Sequence, residues 1–67
     1  MFVEIYTVFV DPNTRRVTTI DSILINTKYI VSLHDQGDYA ILTLSTGKEY
    51  RVGKSTINKL VRMRLAA

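Results

Sequence analysis

The chain predicts an α+β fold, a small antiparallel sheet of about five strands with one C-terminal amphipathic helix packed on it. Two observations carry that expectation. Runs of β-branched and aromatic residues recur between short clusters of turn formers. From Gly47 to Leu65 the sequence then reads in order as turn, strand, cap and apolar-periodic helix.

Phe2 to Val10 has the composition and length of a strand. Asp11-Pro12-Asn13-Thr14 follows as a turn: Pro12 presets φ, and the side chains of Asp11 and Asn13 can bond the nearby backbone. Val17 to Asn26 resumes the β pattern, so the two runs form an antiparallel hairpin with Arg15 and Arg16 at its exposed tip. Asp21 and Ser22 interrupt the second run, which implies a bulge or an edge there, or two short strands in place of one. Tyr29 to His34 is the third strand, closed by the polar tetrad Asp35-Gln36-Gly37-Asp38. Tyr39 to Ser45 is the fourth. Its apolar run Ala40-Ile41-Leu42, followed by Leu44, suggests a central, buried position. Thr46-Gly47 turns the chain, with Gly47 able to take positive φ, and Glu49 to Val52 makes the fifth strand.

The helix is expected from about Thr56 to Ala66, with Ser55 as N-cap and Thr56 as the next choice. Ile57, Leu60, Val61 and Leu65 fall on one apolar stripe, Asn58, Lys59 and Arg62 on the opposite side, and Met63 at a margin. No linker, repeat or low-complexity tract divides residues 1–67, which read as a single domain.

At 67 residues, one core stabilises only marginally, and self-association as a homo-oligomer is an expectation from size alone. There is no cysteine and a single histidine, so neither disulfides nor a thiolate or multi-histidine metal site is available. The hydrophobic share of 46% against 22% charged residues belongs to a folded chain and not to a disordered one. Met1 to Val10 is apolar but alternates, carries Glu4 and lacks a basic leader, so it reads as a strand and not a signal peptide. Charges break every apolar stretch before bilayer-spanning length, and a cytoplasmic protein without membrane contact is expected.

The net charge of +3 is unevenly spread. Up to Gly47 there are three basic residues against five acidic, a balance of −2; from Lys48 onward there are six basic against one acidic, a balance of +5. Such a cationic end suits an anionic partner, nucleic acid or an acidic protein surface, although basic residues near a helix C-terminus also complement its dipole. The candidate binding set is Lys48, Tyr50, Arg51, Lys54, Ser55, Lys59 and Arg62. Tyr6, Tyr29, Tyr39 and Tyr50 can stack on bases where exposed beside cations, or cover the core with the hydroxyl at the rim; Tyr50, between Lys48 and Arg51, is the best placed for stacking.

Gly53-Lys54-Ser55-Thr56 at a strand-to-helix junction invites comparison with a phosphate loop, but the glycine required five residues earlier is Lys48. Nucleotide hydrolysis is therefore excluded, leaving a looser phosphate contact at Lys54 and the helix start. His34, Asp35 and Asp38 form the only carboxylate and imidazole cluster, and aspartates flanking a turn glycine are turn formers. No catalytic residue, metal site or cofactor is assigned.

Leu24-Ile25-Asn26, Tyr29-Ile30, Leu33, a polar loop, Ala40-Ile41-Leu42-Thr43-Leu44, Thr46-Gly47-Lys48, Tyr50-Arg51-Val52, Lys54-Ser55 and a closing helix form a pattern over about two-thirds of the chain. It resembles the second half of LytTR-type DNA-binding domains and the small FlbD-type proteins of flagellar operons. The resemblance implies the sheet-and-helix fold and a small regulatory or accessory role without catalytic residues. Ser22 matches a LytTR serine, whereas Thr18, Ile20 and Asp21 stand where that family has basic and histidine positions. Compact viral proteins share this shape as well. The functional expectation is a non-enzymatic regulatory module docking a basic face on an anionic macromolecule; the alternatives are a homo-oligomeric interaction or inhibitor protein, or an oligomeric trap for a small phosphorylated nucleotide.

Overall fold

The computed structural model describes the backbone of residues 1–66 and side chains through residue 62. Its elements are β1 (Phe2–Val10), β2 (Val17–Asn26), a 3-10 turn (Thr27–Tyr29), β3 (Ile30–Asp35), β4 (Tyr39–Leu44), β5 (Glu49–Gly53) and α1 (Ser55–Ala66). The five strands form one antiparallel sheet in the order β2-β1-β5-β4-β3. The expected α+β architecture is therefore present, with β4 internal and its Ala40 and Leu42 fully buried.

Strand alternation sorts the side chains onto two faces. Val3, Ile5, Ile25, Ala40, Leu42 and Val52 build the core, with Ile23, Ile30, Leu33, Leu44, Tyr50, Ile57 and Leu60 packed around it. Phe2, Glu4, Tyr6, Leu24, Tyr39, Arg51 and Glu49 belong to the other, outer face, as their cross-strand partners require.

The sheet is curled, which its connections demand. In a flat sheet β2 and β3, as opposite edges, would stand about 19 Å apart, yet the 3-10 turn joins Asn26 to Ile30 over a span of about 8 Å. The turn is fastened on both sides. Thr27 N donates to the Met1 carbonyl at 2.8 Å, and the Tyr29 carbonyl accepts from Ser45 N at 2.8 Å. The Asn26 side chain accepts from Lys28 N at 3.2 Å, and Tyr29, read as the first residue of the third strand, belongs to this capped turn. The end of β2 and the start of β3 are thereby held close at this turn, although the two edge strands do not pair.

Both edges carry bulges. In β2 the register shifts opposite Thr7 and Val8, leaving Ile20 unpaired, and in β3 it shifts between Ile30 and Ser32, leaving Val31 unpaired. The irregularity expected at Asp21-Ser22 thus lies one residue earlier, within a continuous strand. Asp21 fixes it: its carbonyl accepts from the Thr7 hydroxyl at 3.3 Å and its carboxylate from Ser22 N at 2.8 Å. A bulge bends its strand and unsettles edge pairing.

Turn chemistry follows the sequence. The Asp11 carboxylate accepts from Asn13 N at 2.8 Å, and Asp11 N pairs with the Arg16 carbonyl at 2.9 Å. Gly37 and Gly47 take φ of +95° and +88°. Arg15, at φ 60°, adopts a left-handed conformation that nothing in its residue type announces.

Helix α1 begins at Ser55, so Ser55 is its first residue and not the expected N-cap; the Lys54 carbonyl accepts from Ile57 N at 3.1 Å. The buried stripe is also rotated. Thr56 is buried, Ile57 and Leu60 are half-buried, and Val61, expected on the stripe, is 49% exposed. Met63 and Leu65 lie outside the residues whose side chains are described.

Candidate binding surface

The seven candidate residues divide between two places. Arg51 projects from the outer face, opposite Ile41, and its guanidinium carbon lies 6.0 Å from the centre of the Tyr39 ring. Lys59 reaches from α1 back to β1, where Nζ donates to the Glu4 carbonyl at 3.0 Å and lies 5.8 Å from the Tyr6 ring centre. Lys54 is exposed at the β5–α1 junction. Ser55, Lys59 and Arg62, all exposed, follow one another at helical spacing along one side of α1. Lys48 and Tyr50 are elsewhere, because the pleat turns Tyr50 to the inner face while Arg51 points out. Lys48 Nζ lies 5.5 Å from the Tyr50 ring centre, and Tyr50 packs against the core. Of the two readings open to Tyr50, it takes the core-covering one, and strand alternation sends Lys48 and Arg51 to opposite sides of the sheet.

All four tyrosines have a cation over the ring, the fourth being Tyr29 with Lys28 Nζ at 5.2 Å. Such contacts are attractive by ~0.5–1 kcal/mol at exposed sites and hold the long cationic side chains against the sheet. Sequence reasoning paired only Tyr50 with cations. The other pairings depend on cross-strand and helix-to-strand proximity that one-dimensional spacing does not contain.

The outer face is not purely cationic. Glu4 accepts from the Tyr6 hydroxyl at 3.2 Å, and Glu49 from the Thr43 hydroxyl at 3.5 Å. The hydrogen bond to Glu4, reinforced by its negative charge, raises the Tyr6 pKa above the ordinary phenol value. Among the described residues the one ion pair is Arg15 Nε to Asp38 Oδ2 at 3.7 Å, between exposed side chains of two turns, so none of the described candidate cations is within ion-pair distance of a carboxylate. The Asp38 side chain, in the β3–β4 turn, thus meets Arg15 of the β1–β2 turn.

Phe2 and Leu24 stand 63% and 69% exposed on neighbouring strands, an apolar area that residue order alone did not reveal. Among the described residues no three His, Cys, Asp or Glu side chains gather as metal ligands, and no helix is long and apolar enough to cross a membrane. No family model matches the chain, and no curated protein or solved structure matches it.

Proposed function

We propose that the protein is a non-enzymatic regulatory module that docks its outer face on an anionic macromolecule, with single-stranded nucleic acid as the form of partner that uses the face most fully. The observation that supports this reading is the pairing of Arg51 with Tyr39 and of Lys59 with Tyr6 on the outer face; Lys54 and Arg62 are exposed as well. Cations meet phosphates, and aromatic rings offer flat surfaces to unpaired bases. Among the described residues no carboxylate lies within ion-pair distance of these cations.

Fluorescence anisotropy of labelled single-stranded oligonucleotides, DNA and RNA, tests the reading across a salt series. Phosphate neutralisation gives a log–log slope of about −0.7 for each phosphate engaged on a single strand. Arg51→Ala and Arg62→Ala each lower the slope by about one contact's worth and leave the fold intact by circular dichroism. A flat salt response, or unaltered affinity in both variants, sinks the proposal. Binding to an acidic protein in preference to nucleic acid moves the partner while keeping the face.

The exposed Phe2 and Leu24 favour a second reading, a homo-oligomeric interaction protein joined through the β1–β2 hairpin. Light scattering over a concentration series separates the two, since self-association also makes the melting temperature concentration-dependent.

A further inference from the structure

The chain divides at Lys28 into the β1–β2 hairpin and the unit β3–β4–β5–α1, and both contribute to one core: Val3, Ile5 and Ile25 from the hairpin, Ala40, Leu42 and Val52 from the second unit. Backbone pairing between them is sparse. Among the described residues β1 meets β5 at a single pair, Thr7 with Val52. Burial is what holds the two parts together, and burial is indifferent to which copy of the chain supplies each part.

The link between them is short and at odds with its own residues. Thr27, Tyr29, Ile30 and Val31 have strand-forming side chains, yet Thr27–Tyr29 is a 3-10 turn. Its flanks are extended already, Asn26 at φ −74° and ψ 123°, Ile30 at φ −81° and ψ 120°. Two hydrogen bonds fold the turn itself: Ile30 N donates to the Thr27 carbonyl, and Lys28 N to the Asn26 side chain at 3.2 Å. The bonds that fasten it to the sheet fall one on each side of Lys28, Thr27 N to the Met1 carbonyl within the hairpin part and Ser45 N to the Tyr29 carbonyl within the second. Straightening the chain at Lys28 therefore gives up the two turn bonds and spares both fastenings.

We infer that the chain dimerises by exchanging its β1–β2 hairpins: the link straightens, and each hairpin docks on the inner face of the β3–β4–β5 unit of a second copy. The occupant is fixed by fit. Ala40, Leu42 and Val52 have no exposure in the closed chain, so the surface that matches them is the Val3, Ile5 and Ile25 face of an identical hairpin. Contacts between the parts are remade across chains, including Lys59 Nζ with the Glu4 carbonyl and Arg15 with Asp38. What separates the two forms is then the link and the concentration-dependent cost of association. A short link held in a conformation that its residues disfavour is the circumstance that invites such exchange. The inference does not rest on the outer-face reading. It also differs from joining through the exposed Phe2 and Leu24, which leaves each core within one chain.

Exchange requires the core to open, so the full chain is refolded from urea at micromolar and at millimolar concentration and sized by light scattering. The expected result is a dimer fraction that rises with refolding concentration. Because the chain has no cysteine, Thr7→Cys/Val52→Cys places one thiol in each part at the β1–β5 pair, and oxidation of the dimer gives a covalent dimer on a non-reducing denaturing gel. Isotope-filtered NOEs in labelled and unlabelled wild-type chains refolded together read the same contact without substitution, between Thr7 of one chain and Val52 of another. Asn26→Ala removes the cap, and Lys28→Pro removes its donor and drives Thr27 out of the helical region; each raises the dimerisation constant about tenfold. Two glycines inserted after Lys28 relax the turn and lower it. A wild-type chain that stays monomeric at millimolar concentration overturns the inference, as does an unchanged constant in both turn variants. A dimer whose disulfides and Thr7–Val52 NOEs all lie within one chain overturns it too, while leaving the joining through Phe2 and Leu24 standing.

Discussion

At the scale of single residues, Tyr6 is the group whose titration reports on the outer face. Its hydroxyl donates to Glu4, and both the hydrogen bond and the negative charge favour the protonated phenol. A pKa raised in the folded state contributes stability that is complete below the unfolded value of about 10 and is lost as pH climbs through the folded value. Glu4→Gln removes the charge and brings the Tyr6 titration down toward that ordinary value, readable by ultraviolet absorbance or by NMR of the ring. An unchanged titration in that variant breaks the assignment. Gly47, at φ +88° with nothing within 4 Å of an added Cβ, offers a second measurement. Gly47→Ala meets only the backbone penalty, about 1–2 kcal/mol in a denaturant melt. Its positive φ was legible because glycine after threonine between two strand runs has few other uses. Arg15 was not legible in that way: its left-handed backbone is set by the Asp11 turn bonds around it, while arginine itself carries no such preference.

At the scale of elements, the strands were legible from runs of Val, Ile and Tyr between turn residues, and their observed limits differ from the expected ones by a residue or so. The 3-10 turn was not, because Tyr29 has strand-forming character and the chain is diverted there by the Asn26 cap on Lys28 N together with the backbone bonds to Met1 and Ser45. Helix orientation failed for a related reason. Apolar spacing counts Val61 and ignores Thr56, but Thr56 carries enough methyl surface to be buried, which turns α1 about its axis and leaves Val61 at the margin. Truncation discriminates the two arrangements. Leu60→Ala is expected to cost about 1–3 kcal/mol, scaled down from full burial because Leu60 is half-buried, and Val61→Ala to stay within about 0.5 kcal/mol. Equal costs in thermal or urea unfolding would restore the stripe expected from spacing. The candidate cations were found by composition, yet their division between Arg51 outside and Lys48 with Tyr50 inside needed the register of β4 against β5.

At the scale of the whole molecule, strand order was beyond reach of the sequence. Hairpins announce themselves through turns, whereas the union of β1 with β5 is a pairing between segments about 45 residues apart, at Thr7 and Val52. The β1–β2 hairpin and the β3–β4–β5 meander are each held by local contacts, and the clasp at Thr27–Tyr29 joins them covalently. Forming either costs little chain entropy, but bringing Thr7 to Val52 closes a long loop before the burial of Val52 rewards it. The rate-limiting encounter in folding is therefore expected to be the meeting of these two preassembled halves, not the making of either one. Val52→Ala should slow the refolding arm of a chevron plot more than it hastens unfolding, and a variant that lost its stability wholly through faster unfolding would place the barrier elsewhere.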